Sequence, residues 1–505
     1  MPLRDGVGFL AFDELVSRCV PGTGIRDARI RQVIAVNSLA DYMSRWAASD
    51  LSGESPPGSD GCEVTIGFGT FLPNKRSFRP SASAVLRGIY SGFLVGLAGV
   101  VGALMPAKVR VPGCFVVLLG TGDGDVFRQA SDARFAAFCA NGPVSRLHKP
   151  AQLVVQTSRC GRSAIDPRIY YAPRPLYQLL RIANVRYWQR LALAAKIAWA
   201  VARETLLVLM DRQSALLIRD QAESELVRSL VIWGTLERVL LTNSSQTRQA
   251  LWLRQRCVPS AMIWYSENNK WMWDDGVEQR DHPAFRHMDV EEHWVWTAAQ
   301  RHWLLTLGTL GVVHVVGPIL WYLPAETAQG ERVGKLWITL FDITPVSDSP
   351  AREQRLPDGY YTAERCSMFL VGAMEAVRRA RSVAGVDVGV RLKTKRPRKG
   401  ADSGYMSLVQ SLARTDHLVL VDWTEDIFAL ASGSVLSIVQ PFSSPGLVAA
   451  SVGARSCYFD APGVLARPIH LDEGIEFVQS VDQLSECVLK AIKAIRSDLT
   501  LSGGL

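Results

Sequence analysis

Short apolar runs alternate with stretches of helical periodicity along most of this chain. The alternation begins at Cys114 with FVVLLG, passes through DARFAAFCANG (132–142) and returns to an apolar run in LVVQTS (153–158). Runs of this length bounded by turn residues read as buried strands, and apolar spacings of three and four read as helices. A long helical block then covers about 174 to 235, and Lys196, Arg203 and Glu204 within it argue against a membrane span there. Strand-like runs resume at 238–243, 260–268, 293–297 and 312–317, with helices over 246–256 and 298–307 between them.

A second series starts near Gly334. Its expected strands are KLWITLFDIT, VDVGVRLK, HLVLVD, SVLSIV and RSCYFD, and its expected helices cover about 362–382, 403–413, 424–431, a stretch from Ser444, and about 482–496. Five strands alternating with helices is the pattern of a doubly wound, largely parallel sheet, so the fold class is α/β. The loop Pro324 to Gly334 is the expected boundary. It divides the chain into a helical and loop extension of uncertain fold (1–110), a first α/β domain with a long helical insert (111–330) and a second (331–505).

The first third departs from this pattern. Residues 50 to 82 are rich in Ser, Gly and Pro and read as loop. Ile89 to Met105 (IYSGFLVGLAGVVGALM) is uncharged, and its 17 residues sit at the short end of the ~17 to 25 that cross a bilayer. Gly or Ser at 91, 92, 96, 99 and 102 suits close helix packing. A helix buried in the core is the first expectation, with an interfacial segment and then a true span as alternatives.

Composition narrows the class. With 505 residues, 48% hydrophobic and 21% charged, the chain is neither disordered nor fibrous and is long enough for two or three domains. Nine cysteines, an odd number without a CxxC pair, argue against a disulfide framework or a structural zinc site and point to a reducing cytoplasm. The first residues lack a basic start, an apolar run and a small-residue cleavage site, so export is not expected.

In an open parallel sheet, ligands collect beyond the carboxyl ends of the strands. In the second series those ends are Asp342 and Thr344, Lys393 and Lys395, Asp422, the run Gln440 to Ser444, and Asp460. Two clusters suit phosphate. RLKTKRPRK holds Arg391, Lys393, Lys395, Arg396, Arg398 and Lys399 within nine residues and no acid. On composition alone this is as readily a solvated loop. At a strand end, however, alternating Lys393 and Lys395 would both point to the crevice, where a nucleotide diphosphate needs compact positive charge. In VQPFSSPG, Ser443 or Ser444 is expected to cap a helix with Pro445 in its first turn. Free amides and the positive dipole end would then face the crevice, although the same residues also make an ordinary cap. No GxGxxG follows a strand and no GxxxxGK[ST] occurs, which disfavours a dinucleotide dehydrogenase or a P-loop ATPase. The net charge of +8 is concentrated in this one basic run, so phosphate is a better partner than a specific nucleic acid.

FDITPV, YYTAERCSMFLVGAMEAV, LKTKRPRK and above all SIVQPFSSPGLVAASVGARSCYFDAPG resemble the bacterial polysaccharide-biosynthesis family named for its PFTS motif. This chain reads PFSS at that motif, a change that keeps the hydroxyl. WYSENN (264–269), HWVWTAAQ (293–300) and VVGPILWYL (315–323) are weaker echoes, and the resemblance covers roughly 240 to 465. It implies two Rossmann-like domains of the GT-B kind, similar to glycosyltransferases and their glycerophosphate-transferring relatives. It also implies a nucleotide-activated sugar as co-substrate, bound mainly to the C-terminal domain, with no other cofactor and no essential metal.

On that resemblance Lys393, Lys395, Arg396, Ser443 and Ser444 would neutralise the departing nucleotide phosphate. Asp342, Thr344, Asp422, Gln440, Pro441 and Phe442 would line the donor cleft. The acceptor hydroxyl needs a general base, for which the candidates are Glu267 in YSENN and Asp123 or Asp125 in LLGTGDGDV. Each also has a plainer reading, as a turn or surface acid. The implied acceptor is a surface polysaccharide or a lipid-linked glycan, reached by a cytoplasmic enzyme with peripheral contact to the inner face of the plasma membrane. The rival readings are a CDP-polyol phosphotransferase of the same fold and a non-catalytic scaffold of a polysaccharide assembly complex.

His282, His287, His293, His302 and His314 fall within 33 residues, but none pairs at the i, i+4 spacing of a helical zinc site and no Cys lies among them. His293 and His314 read as core or cleft residues, either of which could serve as a base. Eight of fourteen tryptophans lie between Trp264 and Trp337, mostly at strand spacing and so core, with a few free to stack on a sugar face or meet a lipid head-group.

Overall fold

The computed structural model describes residues 5–105, 111, 113–126, 152–242, 249–264, 288–306, 309–319, 336–345, 362–395, 401–416, 418–465 and 475–502. Helices α1 (Asp5–Cys19) and α2 (Ile25–Ser52) lead into a small antiparallel sheet of β1 (Val64–Ile66), β2 (Gly69–Leu72) and β3 (Ser77–Pro80), followed by α3 (Ala82–Leu104). About a third of the stretch expected to be loop is therefore sheet. Its strands are only three or four residues long, and alternation seats Phe71 and Phe78 in a core shared with Phe12 of α1 and Tyr42 of α2.

The second sheet contains β4 (Phe115–Leu119), β5 (Leu153–Gln156), β6 (Gly161–Arg162), β7 (Ile169–Ala172), β8 (Leu236–Thr242), β9 (Ser260–Ile263), β10 (Asp289–Val295) and β11 (Leu310–Val315). Its order is β11-β10-β9-β8-β4-β5-β7-β6, and every pairing is parallel except β6 with β7. Along the chain lie α4 (Asp123–Val126), α5 (Pro175–Ile182), α6 (Tyr187–Leu207), α7 (Ile218–Ile232), α8 (Leu251–Arg254) and α9 (Ala298–Thr306). The long helical block is thus three helices. Its apolar sides cover one face of the sheet, where Phe115, Val117 and Val154 pack with Leu179, Leu193 and Leu226.

The third sheet holds β12 (Leu336–Phe341), β13 (Val388–Lys393), β14 (Leu418–Val421), β15 (Leu436–Val439), β16 (Ser456–Phe459) and β17 (Ile475–Val478). It is wholly parallel, in the order β14-β13-β12-β15-β16-β17. The crossovers are α10 (Ala363–Ala384), α11 (Ser403–Thr415), α12 (Ile427–Ser432) and α13 (Ser444–Ser451), and α14 (Val481–Ser502) closes the chain. Both large sheets wind outward in two directions from their first strand, which is the doubly wound α/β architecture that the alternation predicts. The sixth strand, β17, was not expected, because its four residues follow a stretch without periodicity. The expected boundary loop at 324–334 lies outside the described residues. One buried apolar cluster contains residues of both large sheets, among them Leu118, Ile263, Phe341, Val439 and Phe442.

Helix α3 is not the core helix expected first. Gly92, Gly96, Gly99 and Ala103 are its buried side, while Leu86, Tyr90, Phe93 and Leu97 are exposed. The small side is needed for close approach: a Cβ on Gly92 would lie 2.4 Å from Ile218 Cγ2 of α7, and one on Gly96 2.7 Å from Val201 Cγ2 of α6. Gly92→Val is therefore expected to destabilise the protein by about 2 kcal/mol through overpacking, read from the urea midpoint. An unchanged midpoint would mean that α3 does not pack this closely. The N-terminal region is further joined to the helical block by a buried ion pair, Arg29 Nε to Asp220 Oδ2 at 2.5 Å.

Candidate functional site

A doubly wound sheet opens a crevice where its winding reverses. In the third sheet that point lies between β12 and β15. Beyond β12 the chain runs through Asp342, Ile343 and Thr344, and beyond β15 through Gln440, Pro441, Phe442 and Ser443 into α13. The two ends are tied across the reversal, since the Ile343 amide donates to Gln440 Oε1 at 3.1 Å.

Asp342 is the hub of the β12 end. Tyr405 Oη donates to its Oδ2 at 2.7 Å, and Thr344 Oγ1 and the Lys395 amide donate to its Oδ1 at 2.7 and 2.9 Å. Burial pushes this carboxyl up, while those three donors and the nearby Lys393 charge act in the opposite sense. The acid thereby fixes the loops after β12 and β13 and the start of α11 on one another.

Thr344 and Phe442 have φ of +52° and +59°. Left-handed backbone at such residues costs on the order of 1 kcal/mol each and persists only where the surroundings impose it. The other two such non-glycine residues among those described, Arg76 and Arg256, are exposed. Strain of this kind in the interior is thus found on both sides of one switch point. Thr344 is held by Asp342 and by the Lys395 amide, which donates to Thr344 Oγ1 at 2.8 Å. The Phe442 ring is buried with its centroid 5.8 Å from that of Tyr458 and 6.4 Å from that of Phe477.

The left-handed turn at Phe442 delivers Ser443 to the N-cap position of α13, with Pro445 in the first turn. The expected serine cap is absent. Ser443 is buried, and its hydroxyl donates back to the Gln440 carbonyl at 2.8 Å, an acceptor left over at the end of β15. The helix has no side-chain cap hydrogen bond at its N-cap. Ser444, half-buried, is the first helical residue.

The two lysines do not form an outward pair. Strand β13 ends at Lys393, whose buried Nζ donates to the Trp423 carbonyl at 2.8 Å, while Lys395 lies beyond the strand and is exposed. Alternation towards the crevice would have required the strand to continue through both. Asp422 is exposed and accepts from the Thr424 amide at 2.8 Å, closing its own turn. Arg396 lies outside the described residues.

In the second sheet, Asp123 opens α4 and accepts from the Ser158 amide at 2.7 Å and from the Ser158 hydroxyl. These bonds hold its carboxyl below the usual range, which makes it a poorer proton acceptor. Glu267 and the Asp125 side chain lie outside the described residues. His293 is fully buried and accepts from Trp264 Nε1 at 3.1 Å, so it is a core residue rather than a base. His314 is half-buried on β11, 4.0 Å from Glu292. Among the described residues no group of three or more His, Cys, Asp and Glu is placed to hold a metal.

A cavity of about 520 Å³ lies past the ends of β4 and β5, between α2, α3, α5 and α7. Arg29, Arg87, Arg174 and Arg219 line it together with Asp220 and Glu223, an excess of positive charge. Burial pushes the Glu223 carboxyl up although Arg219 Nε donates to it at 3.0 Å.

The model of the family described as "Polysaccharide biosynthesis PFTS motif protein" matches residues 199–488. The chain belongs to this family. Its motif, Pro441 to Ser444, is the strained link from β15 into α13. No curated protein sequence matches. Among solved structures, Staphylococcus aureus MnaA with UDP is 13% identical with a TM-score of 0.37, covering 77% of this chain and 89% of that one. A putative UDP-N-acetylglucosamine 2-epimerase from Listeria monocytogenes is 11% identical with a TM-score of 0.39, covering 77% and 90%. A UGT transferase from Siraitia grosvenorii in complex with UDP is 13% identical with a TM-score of 0.38, covering 77% and 92%.

Proposed function

We propose that this PFTS-family protein transfers a sugar from a nucleotide-activated donor to a surface-polysaccharide or lipid-linked acceptor. The observation that supports the reading is the β12/β15 switch point, where the loop of left-handed Thr344 is tied to Gln440, the left-handed Phe442 leads into α13 without a side-chain cap, and the Lys395 amide is bonded to Asp342. Sugar transfer places growing negative charge on a departing nucleotide phosphate. A helix N-terminus and a cation fixed beforehand stabilise that charge without reorganising at the moment of reaction. Ser444 adds a hydroxyl donor in the first turn. Asp342 positions this machinery through Thr344 and the Lys395 amide and has no need to touch the donor itself.

The test is thermal. Of UDP, GDP, CMP and CDP, one of UDP and GDP is expected to raise the melting temperature, since a ligand at a hundred times its dissociation constant stabilises by about 2.7 kcal/mol. Lys395→Ala is expected to weaken that binding about tenfold, the effect of one charge-assisted hydrogen bond. Stabilisation by CDP or CMP alone would favour polyol-phosphate transfer. Binding that ignores the base and falls steeply with salt would leave only a polyanion-binding scaffold.

For the acceptor side, Ser158 already satisfies the Asp123 carboxylate, which leaves Glu267 and Asp125 as the proposed bases. Glu267→Gln is the informative variant, and turnover at the wild-type rate would remove that residue from the mechanism.

A further inference from the structure

We propose that α3 and α6 form a docking face that lies in the interface of an anionic lipid bilayer. On α3 the residues Leu86, Tyr90, Phe93, Leu97, Val101 and Leu104 recur at three- and four-residue spacings, and all are exposed, Phe93 at 59%. On α6 the positions Trp188, Leu191, Ala195, Trp199, Ala202 and Leu206 do the same, with Trp199 at 66%. A helix of a soluble domain turns its large apolar stripe inward. Here both helices bury small or core residues and turn that stripe out.

The two stripes share one side of the pair. Gly96 faces Val201 and Gly99 faces Ile197, so the helices run antiparallel. On each helix the exposed stripe lies about a third of a turn from the line of contact, in the same rotational sense along its own axis. In an antiparallel pair that turns both stripes to the same side. A continuous apolar surface of this extent is unusual on a soluble protein and marks a contact.

Charge selects the occupant. The ionic side chains that α3 and α6 expose are Arg87, Lys196 and Arg203, all cationic. The one acid in either helix, Glu204, is 1% exposed and paired with Arg26 and Arg203. Arg87, Lys196 and Arg203 follow their stripes at the margin, where long cationic side chains can reach lipid phosphates while their stems lie on the apolar surface. Tyr90, Trp188 and Trp199 are the residue types that favour the boundary between acyl chains and water. The same cations argue against a span, since Lys196 and Arg203 would enter the hydrocarbon with α6.

The experiment is vesicle flotation of the full chain, using phosphatidylcholine vesicles with and without about one-third phosphatidylglycerol. The wild type is expected to float with the anionic vesicles and about tenfold less with the zwitterionic ones. Phe93→Ser with Trp199→Ser is expected to lower flotation about tenfold or more while leaving the melting temperature unchanged, because both side chains are exposed. The idea is overturned if the wild type does not float or if the double variant floats as well as wild type. Resistance to alkaline carbonate extraction would indicate a span instead, and a wild-type dimer that the same substitutions dissolve would indicate a second copy. Nucleotide-induced stabilisation, measured on the same samples, reports separately on the proposed activity.

Discussion

Lys393→Ala is expected to unfold well before the wild type, a larger effect than any loss of nucleotide binding. The Lys393 side chain is buried, its Nζ donates to the Trp423 carbonyl at 2.8 Å, and its charge is among the influences that hold the buried Asp342 carboxyl down. Its removal leaves a carbonyl unpaired and a buried acid short of a compensating charge. Losing a buried charge-assisted hydrogen bond and stranding its acceptor costs about 3 kcal/mol. At 2–4 °C per kcal/mol for a domain of this size, the melting temperature should fall by roughly 6–12 °C, measurable by circular dichroism. Lys395→Ala, at an exposed position, should melt as the wild type does and lose affinity for nucleotide. If Lys393→Ala melts with the wild type, the buried cation is not part of the fold and both lysines return to the phosphate site.

The contrast between these lysines shows where sequence reading stops. Apolar runs and helical periods located all five expected strands of the third sheet, because buried parallel strands are continuous apolar segments and their crossovers are amphipathic. From strand ends it followed that Asp342, Thr344 and Gln440 to Ser444 lie at neighbouring strand ends, and the Ile343 amide bonds to Gln440 across them. What the pattern does not carry is the last two residues of a strand. Whether β13 stops at Lys393 or runs on to Lys395 decides which lysine is solvated, and both outcomes leave the same apolar pattern. Left-handed backbone at Thr344 and Phe442 has no signal either, since neither residue favours it; the tertiary bonds around them impose it. Tyr405 sits at an ordinary core position of α11. Only the rule that a buried tyrosine hydroxyl needs a partner hinted that it would seek an acid. Helix α3 was misjudged for a related reason. A stripe of glycines tells that something packs closely on that side, but not that the large residues opposite stay uncovered.

The second large effect is a loss of stability in mild acid that traces to His293. The side chain has no exposure, accepts from Trp264 Nε1 at 3.1 Å through Nδ1, and lies 3.2 Å from the Leu310 carbonyl through Nε2. This geometry suits the neutral ring with its proton on Nε2. Burial pushes the imidazolium down from 6.5 to about 4. A histidine depressed in the folded state is protonated first in the unfolded chain. Its contribution is therefore complete above pH ~6.5 and is lost as the pH falls from there towards 4, amounting to about 3 kcal/mol over the window. Urea unfolding at about pH 7 and about pH 4.5 measures it. Carboxylates titrate near the lower end of the same range, so the decisive comparison is with His293→Gln, which lacks the titrating group. That variant should be less stable than the wild type at the higher pH, because it disturbs the Trp264 contact, but should lose less on acidification. Equal losses in the two proteins would mean that His293 takes up its proton in the folded state at the ordinary pH, and that the Trp264 pairing does not hold it neutral in the core.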